Sequence, residues 1–415
     1  MSSYLLSIFI FIVFLLPEVL SGSNIKILTT SKDIFIPPAI AENGKSFVYT
    51  GFDEETRKPA IFVAYRNSDG NFSKPVAAVT TETIVKSLGE SLISFPYSGL
   101  YSHVGFNSPT IQDDIITFCS ILKSWKKGVF YGIKNSGRWT VSPIVLQGDD
   151  APETSGLFFR SFYGAYISIN SEIIFLTVLN DSSEAIYAFK ITPSQNTMLG
   201  KVVQLYSSDD NIYDFYNLSV AQGNFAIRAD DPSGKTFIYV YSRKDNKLVK
   251  TAPDEYGEMP QGHRITIKGP SFFDGKIAYS AYGESHDRKP TYAIYTNAGN
   301  NNFSVPIIVT GKMIPSLNVE FSKVWNPTLS IKNNKAYIAF MGYNARNDKY
   351  SGVYFACIEN GEVTLKSIAV PGQEIGDHKV IKSAEIGAVS MRDGIIPMAI
   401  KLKSGESVIA VTKVY

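Results

Sequence analysis

Apolar runs of four to eight residues, rich in Val, Ile, Tyr and Phe, alternate along the chain with tight clusters of Gly, Asn, Asp and Ser. This is a strand pattern; a helix would space its apolar residues three and four apart over a dozen positions. One unit recurs: apolar strand, tight turn, second apolar strand. Its copies read PAIAENGKSFVYTG from Pro38, PTIQDDIITFCS from Pro109, AYISINSEIIFLTV from Ala165 and LSVAQGNFAIRA from Leu218. PSFFDGKIAYSA from Pro270, PTLSIKNNKAYIAF from Pro327 and AVSMRDGIIPMAI from Ala388 complete the set. The turns ENGK, FDGK, KNNK and RDGI supply the positive φ angles that two-residue hairpins need.

A third strand dense in Tyr and Phe follows each hairpin, as in AIFVAYR from Ala60, GVFYGIK from Gly128, FIYVYSR from Phe237 and GVYFACI from Gly352. A second turn leads to a fourth strand, such as KPVAAVT from Lys74, VPIIVTG from Val305 and LKSIAVP from Leu365. Four antiparallel strands at a period of about 58 residues predict a β-propeller blade. The seventh copy stops after its third strand, SVIAVTKV, at the C-terminus, while IKILTT from Ile25 reads as a fourth strand. The expected fold is therefore all-β: seven four-stranded antiparallel blades over residues 24–415. The N-terminal strand completes the last blade, which removes the exposed edges of an open array.

The run from Leu5 to Leu16, followed by Pro17 and the small residues Ser21, Gly22 and Ser23, reads as a signal peptide over residues 1–23. It is too short to span a bilayer comfortably. The expected location is secreted, periplasmic or extracellular, without stable membrane insertion after cleavage; an uncleaved anchor is the alternative. Cys119 and Cys357 sit in apolar runs and read as unpaired small hydrophobes, so no disulfide scaffold is expected. The sequons at Asn71, Asn180, Asn217 and Asn302 matter only in a eukaryotic secretory pathway.

Charge adds one exclusion. With 40 basic and 38 acidic residues the chain offers no electrostatic case for nucleic acid. The 24 Tyr and 26 Phe fall mainly on second and third strands, where they predict blade-to-blade packing rather than a ligand platform. A monomer is expected, and no cofactor.

Propeller topology sends the turns between first and second and between third and fourth strands to one face, and the loops between second and third strands and the blade-to-blade connections to the other. The second set is longer and more varied, so recognition is expected there. All four histidines, His103, His263, His286 and His378, map to it. Nothing in the sequence brings them together, so no metal site is expected. Trp125, Trp325 and Tyr343 could stack on a sugar or peptide, with Arg160, Arg264 and Arg288 as clamps and Asp230 as a carboxylate at the channel mouth. Trp139 falls by the opposite face, as packing. GxSxG, HExxH, P-loop and Rossmann motifs are absent.

The first hairpins IKNNKAYIAF from Ile331, FFDGKIAYSA from Phe272 and AENGKSFVYT from Ala41 resemble the bacterial tandem-repeat propeller family with an NxxGxxAF-type signature, which implies the fold and no chemistry. The turns RNSDGNFSKP from Arg66 and KNSGRWTVSP from Lys134 more distantly resemble sialidase Asp-boxes. The stretch IFIPPAI from Ile34 has Phe35 where that family has the arginine of an Arg-Ile-Pro signature. Phenylalanine cannot capture a substrate carboxylate. The expected function is a secreted, non-enzymatic module that binds a protein or carbohydrate on the variable face. A glycoside hydrolase or lyase with carboxylates at the channel mouth is the alternative.

Overall fold

The computed structural model describes residues 25–31, 33–95, 109–191, 201–208, 212–253, 265–284, 290–299, 306–387 and 389–415. The signal-peptide expectation lies outside them. The described residues contain no helix, hence none long and apolar enough to cross a membrane.

Seven antiparallel blades form a seven-bladed β-propeller. Blade 1 is Ile34–Ile40, Ser46–Asp53, Lys58–Tyr65 and Val76–Thr80, which we call strands A to D. Blade 3 starts at Phe159–Ile167, blade 4 at Tyr213–Ala221, blade 5 at Ile265–Phe273 and blade 6 at Val319–Lys332. In blade 2, strand A comes in two pieces, Glu90–Ser94 and Thr110–Gln112, both paired with Ile115–Leu122. Blade 7 is Lys379–Glu385, Ile395–Leu402 and Ser407–Lys413, and Lys26–Ser31 adds its fourth strand in antiparallel register, Lys26 opposite Val411 and Ser31 opposite Ser407. The ring closes as the sequence predicts.

Each blade junction holds its own hydrophobic cluster, seven in all. Val48, Ile61 and Phe118 belong to the cluster between blades 1 and 2, Phe355, Met398 and Ala410 to that between blades 6 and 7. The core is thus annular. Aromatic pairs directly opposite on strands B and C stack in six blades: Tyr49–Phe62 at 5.0 Å, Phe118–Phe130 at 5.9 Å, Phe175–Tyr187 at 5.8 Å, Phe225–Tyr241 at 4.6 Å, Tyr279–Tyr295 at 5.3 Å and Phe340–Tyr354 at 5.7 Å. Each such pair adds about 0.5–1.5 kcal/mol beyond its buried area. The aromatic excess is packing, as expected, and Trp139 packs half-buried into the cluster between blades 1 and 2.

Strand A departs from the sequence reading. The repeat motifs begin at its middle, and its first half extends into the stretches between the repeats. In blades 1, 3, 4, 5 and 6 a register shift bulges this strand, for example between Ile36 and Ala39, Lys268 and Ser271, and Trp325 and Thr328. Pro37, Pro38, Pro270 and Pro327 occupy the bulges, where a missing N–H costs no ladder bond. Arg160, Trp325, Tyr343 and Asp230 consequently lie on strands, not in loops.

Strands A also bond to one another around the ring, which makes them the innermost strands. A hydroxyl on one blade accepts a backbone N–H from the next: Thr110 Oγ1 from Ile167 at 2.9 Å, Ser219 Oγ from Phe272 at 3.0 Å, Ser271 Oγ from Leu329 at 2.9 Å and Thr328 Oγ1 from Ser390 at 3.0 Å. Ser390 Oγ donates to the carbonyl of Pro38, and Ile40 N–H to that of Val389 at 2.8 Å, joining blade 7 to blade 1.

At the short-turn end Glu42 of blade 1 reaches across the ring. Its carboxylate accepts the N–H of Ile169 in blade 3 at 3.2 Å and of Gln222 in blade 4 at 3.0 Å. Arg392 of blade 7 lies 1% exposed nearby, its Nη1 donating to the carbonyls of Leu329 and Met391, each at 2.8 Å. Its guanidinium stacks 4.5 Å from the Phe273 ring. Burial lowers its pKa to about 10 while the Glu42 charge resists.

Candidate functional site

The start of strand A in each blade lies at the face that carries the blade-to-blade connections. Three of these connections form small hairpins: Ile84–Val85 with Glu90–Ser91, Met313–Ile314 with Val319–Glu320, and Glu374–Ile375 with Lys379–Val380. The strands run further than the sequence suggests. The B–C turns are consequently short, and the variety of this face resides in the connections.

Trp325 and Tyr343, placed here by the sequence, come together. Trp325 is on strand A of blade 6 and Tyr343 is on its strand B, Lys335–Asn344. The Lys323 ammonium sits between them, 3.6 Å from the centroid of Trp325 and 5.3 Å from that of Tyr343. Tyr292 of blade 5 meets Trp325 edge-on at 5.7 Å and lies tilted against Tyr282 at 5.0 Å. A cation held over aromatic faces is attracted by their quadrupoles. The Trp325 indole N–H donates to the Tyr343 hydroxyl, which also bonds Ser351; burial first, then the Glu385 charge, raises the pKa of Tyr343. Ser351 Oγ donates to the Ala384 carbonyl of blade 7 at 2.9 Å, carrying the band across the junction.

Next to Ser351 a surface cleft of about 440 Å³ opens between blades 6 and 7. Asn347, Tyr350, Gly372, Ile381, Lys382 and Lys403 line it. The Lys382 ammonium is 5.2 Å from the Tyr350 ring centroid. The volume suits a small organic ligand, and the lining offers one aromatic face with two ammonium groups.

A second cluster forms where blade 3 meets blade 4. Glu184 begins strand C of blade 3 and accepts the Phe215 N–H, while Asp214, at φ 51°, and Asp230, at the end of Asn224–Asp230, lie beside it. Burial lifts the Glu184 pKa to about 7, opposed by the Phe215 bond and reinforced by the charges of Asp214 and Asp230. Burial and the Asp230 charge also raise Asp214. The Tyr216 hydroxyl donates to Asp230 Oδ2 at 3.3 Å, and burial raises its pKa to about 12. Arg228, 8% exposed, lies 4.0 Å over the Tyr216 ring and donates from Nη1 to the Ile267 carbonyl at 2.7 Å. A carboxyl kept protonated near neutrality beside other carboxylates is a pattern found at functional sites.

The remaining expected residues do not join these groups. Trp125 is 74% exposed on a turn of blade 2. Arg160 is exposed on strand A of blade 3 and donates to Ser182 Oγ at 3.1 Å. His378 is exposed in the third connection hairpin with Nδ1 3.3 Å from Glu374 Oε2. His103, His263, Arg264, His286 and Arg288 lie outside the described residues. Among the described residues no three His, Cys, Asp or Glu side chains could hold a metal ion, and Cys119 and Cys357 are free. Sequence reasoning missed Glu184, Asp214, Tyr350, Lys382 and Lys403. No linear spacing marks them, because each group assembles across a blade junction.

No curated protein matches the chain. Among solved structures, the WD40 domain of SCAP from fission yeast aligns at 11% identity over 94% of this chain and 98% of that one, with a TM-score of 0.39. The BP39L lectin from Burkholderia pseudomallei aligns at 11% identity over 94% and 96%, with a TM-score of 0.42. A Trypanosoma rangeli sialidase in complex with 2,3-difluorosialic acid aligns at 11% identity over 91% of this chain and 54% of that one, TM-score 0.39, so the chain spans about half of the enzyme. The sequence also matches a family model over residues 116–391, more than half of its length, and the chain therefore belongs to the family of unknown function DUF7453.

Proposed function

We infer that the protein is a non-catalytic recognition module that binds a glycan or protein in the cleft between blades 6 and 7. The observation that carries this reading is the lining of that cleft: the Tyr350 ring beside the Lys382 ammonium, with Lys403 in the same lining. Such a lining can stack on a sugar ring and hold a carboxylate or sulfate, so an acidic glycan is the first ligand to try. A charge-assisted hydrogen bond is worth about 1.5–3 kcal/mol, so Lys382→Ala with Lys403→Ala should weaken binding by at least about tenfold. Tyr350→Ala should do the same, and neither variant should lower the melting temperature appreciably. An array of acidic and neutral glycans finds the ligand and calorimetry measures the variants; wild-type affinity in both would remove the cleft from the reading.

The cluster at Glu184 supports a second reading, glycoside hydrolysis. A carboxyl holding its proton to about pH 7 can serve as general acid while a neighbouring carboxylate serves as base or nucleophile. Turnover of a chromogenic glycoside that disappears in Glu184→Gln would establish this reading and sink the non-catalytic one.

The run from Leu5 to Leu16 supports secretion. N-terminal sequencing of protein recovered from the medium or periplasm should start after Ser21 or Ser23. Kinship with the NxxGxxAF tandem-repeat propellers is likewise our proposal, supported by the hairpins from Ala41, Phe272 and Ile331.

A further inference from the structure

The turn between Ile115–Leu122 and Lys127–Asn135 of blade 2 carries Trp125 in a conformation that its side chain does not favour. Its φ is 68°, and the other described non-glycine residues with positive φ are all polar. For a bulky residue this is a genuine outlier, and such outliers persist only where surrounding structure enforces them. Here four bonds enforce it. Trp125 N–H donates to the Leu122 carbonyl at 2.8 Å and Leu122 N–H to that of Lys126 at 2.9 Å. Lys123 N–H donates to the Ser91 carbonyl at 2.9 Å, and Ser124 N–H to Glu90 Oε2 at 3.0 Å. The ring is nevertheless 74% exposed, so internal packing does not account for its place.

Lys123, Lys126 and Lys127 flank the ring and are exposed. Ile84, 61% exposed, pairs with Ser91, the residue that accepts from Lys123, and exposed Lys86 follows it. The nearby acids are engaged: Glu90 holds Ser124 and feels the Lys126 charge, and Glu82 pairs with Lys58. The rim therefore presents one indole, one aliphatic side chain and four ammonium groups on a protruding turn rather than in a pocket. Indole rings settle at the water–hydrocarbon boundary, and lysines beside them reach anionic headgroups. A convex tip meets a flat surface more readily than it encloses a sugar or peptide.

We propose that this rim of blade 2 docks the protein reversibly on an anionic lipid bilayer, with Trp125 and Ile84 at the headgroup boundary and the lysines over the charge. Full-length protein is sedimented with vesicles of phosphatidylcholine alone and of equal parts phosphatidylcholine and phosphatidylglycerol. Binding should require the anionic lipid and fade with salt. Replacing Lys123, Lys126 and Lys127 by Gln should weaken it by about two orders of magnitude, since each lysine near such a surface contributes about a fivefold factor. Trp125→Asn should weaken it by about tenfold or more. Asn accepts the left-handed backbone, so this variant should melt no lower than the wild type, which separates lost docking from lost folding. Bound wild type should show blue-shifted Trp emission that Trp125→Asn lacks, with Trp139 and Trp325 unchanged. Failure to bind anionic vesicles, equal binding to neutral ones, or undiminished binding by both variants would overturn the proposal. So would binding confined to a soluble polyanion such as dextran sulfate.

Discussion

Glu184 illustrates how a single side chain couples the fold to acid. Its pKa is lifted by burial from an ordinary 4.5 to about 7, so between these values the folded protein holds a proton that the unfolded chain has released. Stability must then fall as pH rises from about 4.5 to about 7, the reverse of a salt-bridged carboxylate. Urea midpoints measured across this window should decline for the wild type, and the Glu184 contribution to the decline should vanish in Glu184→Gln. A slope identical in both would mean that the carboxyl titrates normally. The cluster around Glu184 was only partly legible in the sequence. Asp230 was visible as a carboxylate expected at the channel mouth, but Asp214 enters through a left-handed backbone that nothing in the local pattern announces. Trp325 and its neighbour Tyr343 were legible as aromatics on the variable face, Trp325 the more so because the chain has only three tryptophans. Their shared partner Lys323 was not, since one lysine among 40 basic residues carries no mark.

At the scale of the strand, the tight hairpins and Tyr-rich third strands could be read directly because turn chemistry and two-residue alternation coincide there. Strand A could not. It is interrupted by a bulge, which holds Pro in blades 1, 5 and 6, and its first half mixes polar with apolar residues, as in YDFYN from Tyr213 and KVIKSAE from Lys379. As an edge strand it faces a partner on one side only, so alternation is weakly imposed. The hydroxyls that join neighbouring A strands were in view as PTI, PSF and PTL within the repeats, but a sequence does not show that they bond between blades. Their energetic role is testable at Thr328, which is fully buried and accepts the Ser390 N–H. Thr328→Val keeps the shape and leaves that N–H without a partner, so it should cost about 1–3 kcal/mol. Chemical denaturation would measure this as a lower midpoint at unchanged slope; a neutral result would reduce the inner hydroxyls to spectators. A related constraint acts on Gly342 of blade 6, where an added Cβ would lie 2.5 Å from the Phe321 ring. Gly342→Ala should therefore destabilise through overpacking by about 1–3 kcal/mol.

For the molecule as a whole, the ring is tied at its centre as well as between neighbours. Glu42 links blade 1 to blades 3 and 4 and balances the buried Arg392 of blade 7. Glu42→Ala removes these acceptors and one of the two carboxylate charges that oppose burial of the guanidinium, Asp393 being the other, a loss of about 1–3 kcal/mol. Arg392→Met together with Glu42→Ala should recover part of that loss, because the buried charge that Glu42 balances is gone. If the double variant is less stable than Glu42→Ala alone, the two side chains act independently. The seven-blade count and the closing strand were legible at this scale because both follow from repetition. The central tie was not, as it joins residues 127 and 180 positions apart.

The closing strand has a mechanical consequence. Lys26 lies opposite Val411, so both chain ends leave blade 7 from the same end of one ladder. A load applied between the termini would peel Lys26–Ser31 from Ser407–Lys413 one bond at a time instead of shearing the whole ladder at once. Under tension the propeller should open at this seam at low force, like a zip pulled from its tab, while the other six blades still hold.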